Sequence, residues 1–465
     1  MFVQLHEEIF ERVKQTASES NIKTYLVGGY VRDIILNRPS KDIDFMLIGD
    51  GIVFANKLAE KYNPKPEVVV FKNFGTAMVK INELDVEFVG ARKESYNSNS
   101  RNPIVKPGTF KDDLSRRDFT INALAISMNA ESFGEITDLF GGIKDIDKGI
   151  IKTPLDPIIT FNDDPLRMMR AVRFASQLGF EIENKTFEGI VNCAERITIV
   201  SMERVSDEFN KILLSPKPSV GLKLMFDTGM LKYILPELEN LKGVDTIDGI
   251  SHKDNFYHTL QVIDNVCKAS NDLWLRWSAL LHDIAKPLTK KFVKGEGWTF
   301  HGHEDKGARM VKNIFKKMRL PLNEKMKFVE KMVKMHLRPI VIAQDNVTDS
   351  AVRRLMFDAG EDIDSLLLLC KADITTKNEY KQKQFEKNLN VVEQKVIDLE
   401  QRDRIRNWQP PIDGNEIMKI FGISAGREVG ILKNSLKDAI LDGLIKNDYR
   451  EALDFLKTKS KEIGL

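Results

Sequence analysis

Along the first 150 residues the apolar positions keep changing period. The runs KTYLVGG, DIDFMLIG, EVVVF, GTAMVKI and LDVEFVGAR are bounded by Gly, Pro, Asn or Asp and read as short strands, whereas the segments from Val31 and from Phe54 carry helical spacing. From about Pro154 onward strand signals nearly vanish, and amphipathic patterns such as PLRMMRAVRFASQLGF and MERVSDEFNKILL take over. The pattern predicts an α/β head, a mixed sheet with helices, followed by an all-α remainder. LSPKPSVG near residue 216 and NWQPPIDG near residue 410 are the clearest breaks by Pro and Gly content. Between Tyr380 and Arg406, Phe385, Leu389, Val392, Val396 and Leu399 recur at helical intervals, which predicts one long surface helix. No internal repeat is evident.

Bulk properties narrow the picture. A chain of 465 residues exceeds one compact core, and length favours about three or four domains. Its 42% hydrophobic and 30% charged residues describe a globular protein, not a disordered one. No run of about 18 apolar residues occurs, so no membrane span is expected. The N-terminal MFVQLHEEIFERVKQ has acidic residues where an export signal has a basic region and an unbroken apolar one, so a cytoplasmic location is expected. Cys193, Cys267 and Cys370 are too widely spaced for a disulfide framework or a cysteine zinc site. The net charge is only +2, but residues 286–338 hold 15 Lys or Arg against 5 Asp or Glu. Such asymmetry focuses a field toward a polyanion, although a solvated lysine-rich helix face has the same composition.

The first candidate chemistry lies in LVGGYVRDIILNRPSKDIDFMLIG. Strand alternation projects Asp42 and Asp44 from one face, about 7 Å apart, and turns Ile43 and Phe45 inward. That spacing suits a pair of Mg²⁺ ions about 4 Å apart in an in-line phosphoryl displacement. An edge strand with its polar face in water has the same pattern. Gly28 and Gly29 let the chain turn closely and present amide hydrogens at the start of a helix, an anion site to which Arg32 can add a charge-assisted bond. An ordinary strand–turn–helix explains the glycines too.

GGYVRD followed by KDIDF resembles the class II tRNA nucleotidyltransferases, the CCA-adding enzymes and bacterial poly(A) polymerases of the polymerase β superfamily. LSRRDFTINALA from Leu114, DLFGGIKDI from Asp138, DDPLRMMRAVRFA from Asp163 and ERVSDEFNKILL from Glu203 follow in the order of that family. The resemblance implies that Asp42 and Asp44 are catalytic metal ligands and that Gly28, Gly29 and Arg32 hold the incoming triphosphate. It sets Arg117 beside the nucleotide and makes Asp164 and Arg167 the readers of CTP and ATP base edges. A carboxylate accepts from an exocyclic amine, and a guanidinium donates to ring nitrogen or carbonyl. Arg167, Arg170 and Arg173 recur every three residues and form a basic face toward nucleotide or RNA. As a capping motif, Asp164 would instead precede Pro165 at a first helical position and pair with Arg167. Where the family has Glu before this Asp, the chain has Asp163. Glu87 is a candidate third acidic group near the metals.

Bacterial poly(A) polymerases carry paired basic residues in a Gly-basic-basic-Phe signature, whereas the corresponding region here reads VVVFKNFGTAMVKI. ARKESYNSNSRNPIVKPGTFKDDLSRRD resembles the flexible loop with which CCA-adding enzymes switch from C to A. Complete CCA addition to tRNA from CTP and ATP is therefore expected, ahead of A-only or CC-only addition and of polyadenylation.

Six of the seven histidines lie between 252 and 336. His258, then His282 with Asp283 in ALLHDIAKP, then His303, His336 and Asp373 follow the order of HD-domain phosphohydrolases. That resemblance implies a divalent transition metal held by His258, His282, Asp283 and Asp373, with His303 and His336 available to a second ion. It implies hydrolysis of phosphomonoesters or 2′,3′-cyclic phosphates, and a protein that is mainly such a hydrolase is the alternative from another class. Together the resemblances divide the chain into a head (1–150), a helical neck carrying the nucleotide-recognition helix (151–245), an HD body (246–400) and a tRNA-binding helical tail (401–465).

Overall fold

The computed structural model describes residues 2–71, 75–95, 104–344, 347–376, 378–403 and 409–465. The chain forms two compact units, Met1–Pro236 and Glu237–Leu465.

The first unit is built on a seven-stranded sheet. Its opening elements are α1 (Glu8–Ser20), β1 (Thr24–Val27), α2 (Gly29–Ile35), β2 (Asp42–Leu47), α3 (Gly51–Ala59), β3 (Val68–Phe71), β4 (Thr76–Ile81) and β5 (Leu84–Gly90). A hairpin of β6 (Arg92–Ser95) and β7 (Ile104–Pro107) follows, then α4 (Phe110–Ser115), β8 (Leu124–Ser127) and β9 (Ile136–Asp138). The sheet order is β3-β4-β5-β2-β1-β8-β9. Only β2 and β5 pair in parallel, and their register sets Asp42 opposite Asp85 and Asp44 opposite Glu87.

β2 shows the expected period of two. Ile43 and Phe45 are fully buried while Asp42 is exposed and Asp44 half-buried. Phe45 stacks on Phe88 at 5.2 Å, Phe54 of α3 adds a tilted contact to Phe88 at 5.4 Å, and Phe10 of α1 meets Phe45 edge-on. This aromatic cluster holds β2 and β5 rigidly from behind the carboxylates. Beyond the sheet come α5 (Gly142–Lys148), α6 (Pro157–Asp163), α7 (Leu166–Leu178), α8 (Asn184–Cys193) and α9 (Met202–Leu213), with α7 packed against α9.

The second unit is helical. Helices Asn255–Cys267, Leu273–Leu281, His303–Lys317, Glu324–Met335 and Ile363–Asp373 pack around a core that contains Trp277, Phe315 and Phe256. The long helix appears over Glu379–Asp403, with Leu389, Val392, Val396 and Leu399 buried against helices Arg338–Gln344 and Asp349–Ala359. Arg354 binds Asp438 at 2.9 Å and Asp442 at 3.0 Å, tying helix Asp349–Ala359 to Arg427–Leu441 of the tail.

Two small hairpins interrupt the all-α pattern, Thr246–Ile247 with Ile250–Ser251 and Lys291–Val293 with Gly297–Thr299. The first turns at Asp248–Gly249, both with positive φ, a hairpin signal too short to stand out among helical periods. Of the regions that bear on C-versus-A choice, residues 72–74 in VVVFKNFGTAMVKI and 96–103 in the polar loop lie outside the described residues. Cys193, Cys267 and Cys370 are free thiols.

Candidate functional site

In the first unit a cavity of about 260 Å³ is lined by Gly28, Gly29, Arg32, Asp42, Asp44, Arg117, Arg170 and Arg173, together with Tyr30, Asp33, Ser40, Asp118, Asn122 and Phe174. The turn between β1 and α2 closes one side. Gly28 has φ +79°, and a Cβ there would lie 3.1 Å from Asp44 Oδ2 and 3.1 Å from an Arg117 guanidinium nitrogen. The backbone angle favours glycine, and a Cβ would press on the ends of these two side chains.

Acidic and basic groups divide this cavity. Burial pushes the Asp44 carboxyl above its ordinary pKa; Arg117 and Arg170 oppose the shift and Asp42 adds to it. Glu87 is raised likewise by burial and then by Asp44, so a third carboxylate sits on the adjacent strand within electrostatic reach. Carboxylates that repel one another are relieved by a cation, and oxygen-only donors suit a hard divalent ion. Opposite stand the guanidiniums. Arg32 donates to Asn122 Oδ1 at 2.8 Å and is gripped by Asp33 at 2.8 Å. Arg117 leans on buried Asp113 at 3.1 Å. Arg32, Arg170 and Arg173 all lie over the Phe174 ring, at 4.9, 5.4 and 4.5 Å from its centroid.

The other two arginines have acidic partners as well. Arg170 binds Asp118 at 2.6 Å, and Arg173 binds Glu208 of α9 at 3.1 Å. Asp118 is buried, which alone would raise its pKa, but Arg170 and Asn122 bring the net value down to about 2. Arg170 is thus a fixed charge on an anchored side chain. Asp164 and Arg167 lie outside the cavity lining. The Asp164 carboxylate accepts from Leu166 N at 3.1 Å and meets Arg204 at 3.5 Å, while buried Arg167 donates to Thr160 O at 3.5 Å. The Asp164–Arg167 capping pair is not formed through side chains.

In the second unit, His258, His282, Asp283, His303, His336 and Asp373 converge from the ends and faces of five helices. Asp283 is fully buried and lies at the centre. His258 Nε2 and His282 Nε2 stand 3.4 and 3.2 Å from its Oδ2, and His303 Nε2 and His336 Nε2 stand 3.2 and 3.8 Å from its Oδ1. Asp373 Oδ1 is 2.9 Å from His258 Nε2 and 3.5 Å from His282 Nε2.

The other ring nitrogens are all anchored. Nδ1 of His282, His303 and His336 lies 2.7 to 2.8 Å from the carbonyls of Ala279, Phe300 and Val333, and His258 Nδ1 is 2.8 Å from Thr375 Oγ1. A carbonyl only accepts, so each of those three rings carries a proton on Nδ1 and turns Nε2 toward the centre. That orientation leaves Nε2 as the atom a metal would take in place of a proton. Nε2 of His303 and of His336 is buried and makes no hydrogen bond. Burial disfavours a charged His282, yet Asp283 and Asp373 raise its pKa to about 10, whereas burial and charged His282 lower His336 to about 4. The donor set fits one or two divalent ions sharing Asp283.

Comparison with known proteins agrees with both halves. Residues 24–152 match the poly A polymerase head domain, 179–242 the family described as "Probable RNA and SrmB- binding site of polymerase A", and 255–378 the HD domain. An A-adding tRNA nucleotidyltransferase of Aquifex aeolicus is 44% identical over 36% of this chain and 20% of its own length. A multifunctional CCA protein of Neisseria gonorrhoeae is 33% identical over 64% of this chain and 70% of its own. The chain belongs to the tRNA nucleotidyltransferase family.

Within that family a solved Bacillus stearothermophilus CCA-adding enzyme in complex with CTP shares the fold, with TM-score 0.66, 21% identity and 98% of each chain covered. Against four curated relatives, the Aquifex protein among them, the match spans 20% to 59% of their length. Sequence reading of the nucleotidyltransferase motifs missed Asp118, Asn122 and Phe174, although all three sit in or beside quoted motifs. Asp118 ends the RRD triplet and Phe174 follows Arg173. Their roles depend on α7 lying across the cavity, which no local pattern reveals.

Proposed function

We propose that the chain adds CCA to the 3′ end of tRNA, using CTP and ATP and no nucleic-acid template. The observation that carries this reading is the single cavity lined by eight of the residues expected from separate motifs: Gly28, Gly29, Arg32, Asp42, Asp44, Arg117, Arg170 and Arg173. Two Mg²⁺ bound at Asp42 and Asp44 would supply Lewis acidity to the attacking tRNA hydroxyl and to the leaving pyrophosphate. The Gly28–Gly29 turn and the Arg32 and Arg117 guanidiniums bind and orient the triphosphate. Arg170, locked by Asp118, keeps its charge while substrates exchange. Asp164 and Arg167 read the base edges once a nucleotide enters. The domain limits 1–150, 151–245, 246–400 and 401–465 belong to the same reading, with the work done in the cytoplasm. No helix among the described residues is long and apolar enough to cross a membrane.

The rivals are A-only or CC-only addition and polyadenylation. Incubating the protein with tRNA lacking CCA, tRNA lacking only the terminal A, and complete tRNA, each with single nucleoside triphosphates, separates them. Extension by C, C and A and then arrest supports the reading; A added only to the second substrate, or an untemplated A run, replaces it.

The buried histidine cluster favours a second reading, a divalent-metal phosphohydrolase acting on RNA ends. Its support is the convergence of Nε2 atoms on Asp283. Metal-dependent phosphate release that survives Asp42→Ala and is lost in Asp283→Ala tests it; release that survives Asp283→Ala rules it out.

A further inference from the structure

Beside the histidine cluster lies a cavity of about 480 Å³, within the range of small-molecule sites. One end is formed by His258, Asp373 and Lys286; the walls are the two hairpins, through Ile250 to His252 on one side and Gly297, Trp298 and Phe300 on the other. The metal-capable residues need only the first end, so the walls call for their own explanation.

Those walls are aromatic and fixed in place. Trp298 Nε1 donates to Ile250 O at 2.9 Å, joining the two hairpins. Its ring is met edge-on by Phe292 at 5.3 Å and by His252 at 5.2 Å, and His252 also meets Phe300 at 5.8 Å. His252 is itself held at both nitrogens, accepting from Asp245 N at 3.1 Å while Nδ1 lies 2.7 Å from Lys253 O. Lys286 bridges the two ends: its Nζ is 2.6 Å from Asp283 Oδ2 and 5.5 Å from the Phe300 ring centroid. An end that joins a lysine ammonium to a metal-capable cluster suits a phosphate. An immobilised aromatic wall suits a flat ring, because stacking on a preordered side chain costs little entropy.

We propose that this cleft is the base-holding subsite of the phosphohydrolase, with Trp298 as the stacking platform, so that its substrates are nucleoside phosphates or nucleotide-terminated RNA rather than baseless phosphomonoesters. The inference rests on the second reading above. Lys286 positions the phosphate at the cluster while the base lies along Trp298. His252 is a positioning residue, acting through the two hairpins it holds together.

The test compares kcat/KM for adenosine 3′-monophosphate with kcat/KM for glycerol 2-phosphate, using the full chain with added Mn²⁺. Wild-type protein should prefer the nucleotide by at least about tenfold. Trp298→Ala should collapse that ratio toward one, and Trp298→Phe should restore most of it. Absence of a preference in the wild type, or a Trp298→Ala ratio equal to the wild type's, overturns the subsite. Equilibrium binding of adenosine 3′-monophosphate without metal gives a readout independent of turnover. If no substrate is hydrolysed but binding weakens about tenfold in Trp298→Ala and recovers in Trp298→Phe, the hydrolase reading fails and the subsite stands. Binding equal in all three proteins removes the subsite.

Discussion

The head cavity and the histidine cluster both gather carboxylates where a cation fits, but they are assembled by different physics. In the head, Asp42 and Asp44 come from one strand, Asp42 is exposed, and guanidiniums face them across the cavity. Such a site is incomplete until an anion arrives to bridge metal and arginine, so metal and triphosphate should bind as a unit. In the second unit six donors arrive from five helices, His282 and Asp283 are fully buried, and the ring orientations are set by carbonyls before any ligand enters. That site is complete in itself. An exchanging hard cation suits the first, and a retained transition metal suits the second.

Paired substitutions break the comparison most sharply. Asp42→Ala should lower nucleotide incorporation by about a thousandfold or more, leaving the melting temperature and any phosphate release unchanged. Asp283→Ala should do the reverse, abolishing phosphate release while incorporation persists. Loss of both activities in either variant would mean that the two sites are not independent. Next in size, Asp118→Asn removes the buried carboxylate that pairs with the half-exposed Arg170 and should cost about 2 kcal/mol in denaturant unfolding. The Asp118 pKa is depressed to about 2, so the stabilisation is full above the ordinary carboxylate value near 3.8 and fades as pH falls from there toward 2. The gap between wild type and Asp118→Asn should therefore narrow over that window, and a constant gap would remove the ion pair as its cause.

Retained metal gives a further contrast. Chelation should lower the melting temperature of wild-type protein by several degrees through loss of a native-state ligand, and should leave Asp283→Ala unmoved. An equal shift in both proteins, or none in either, would mean that this cluster retains no metal. Smallest of all, Gly28→Ala meets a φ of +79° and two side-chain atoms at 3.1 Å, a conformational cost of about 1–3 kcal/mol. It should raise KM for CTP more than it lowers kcat, because the turn binds the triphosphate; unchanged kinetics would remove the turn from the site.

The same contrast governs what could be read from residues alone. Period-two alternation is local, so DIDF announced both its strand and the shared face of its carboxylates, and β2 follows that pattern residue for residue. The histidine cluster has no local signature. Its members are spread from 258 to 373, and only their order, matched to an HD pattern, brought them together on paper. Partners fixed solely by tertiary packing stayed hidden. Arg170 and Arg173 read as a basic face toward substrate, but Asp118 and Glu208 lie 52 and 35 residues away in sequence and take up part of that charge. The hairpins around Trp298 were lost to a helical background for the opposite reason, since two- and three-residue strands offer too few positions for any period to register.

The central claim is that Asp42 and Asp44 transfer nucleotides to tRNA. It is tested most directly by incubating wild-type and Asp42→Ala protein with tRNA lacking CCA plus CTP and ATP, and resolving the products at single-nucleotide length. Extension of the tRNA by three nucleotides, ending in A and absent with Asp42→Ala, is the predicted result. Extension that persists in the variant, or wild-type protein that extends none of the tRNA, would contradict it.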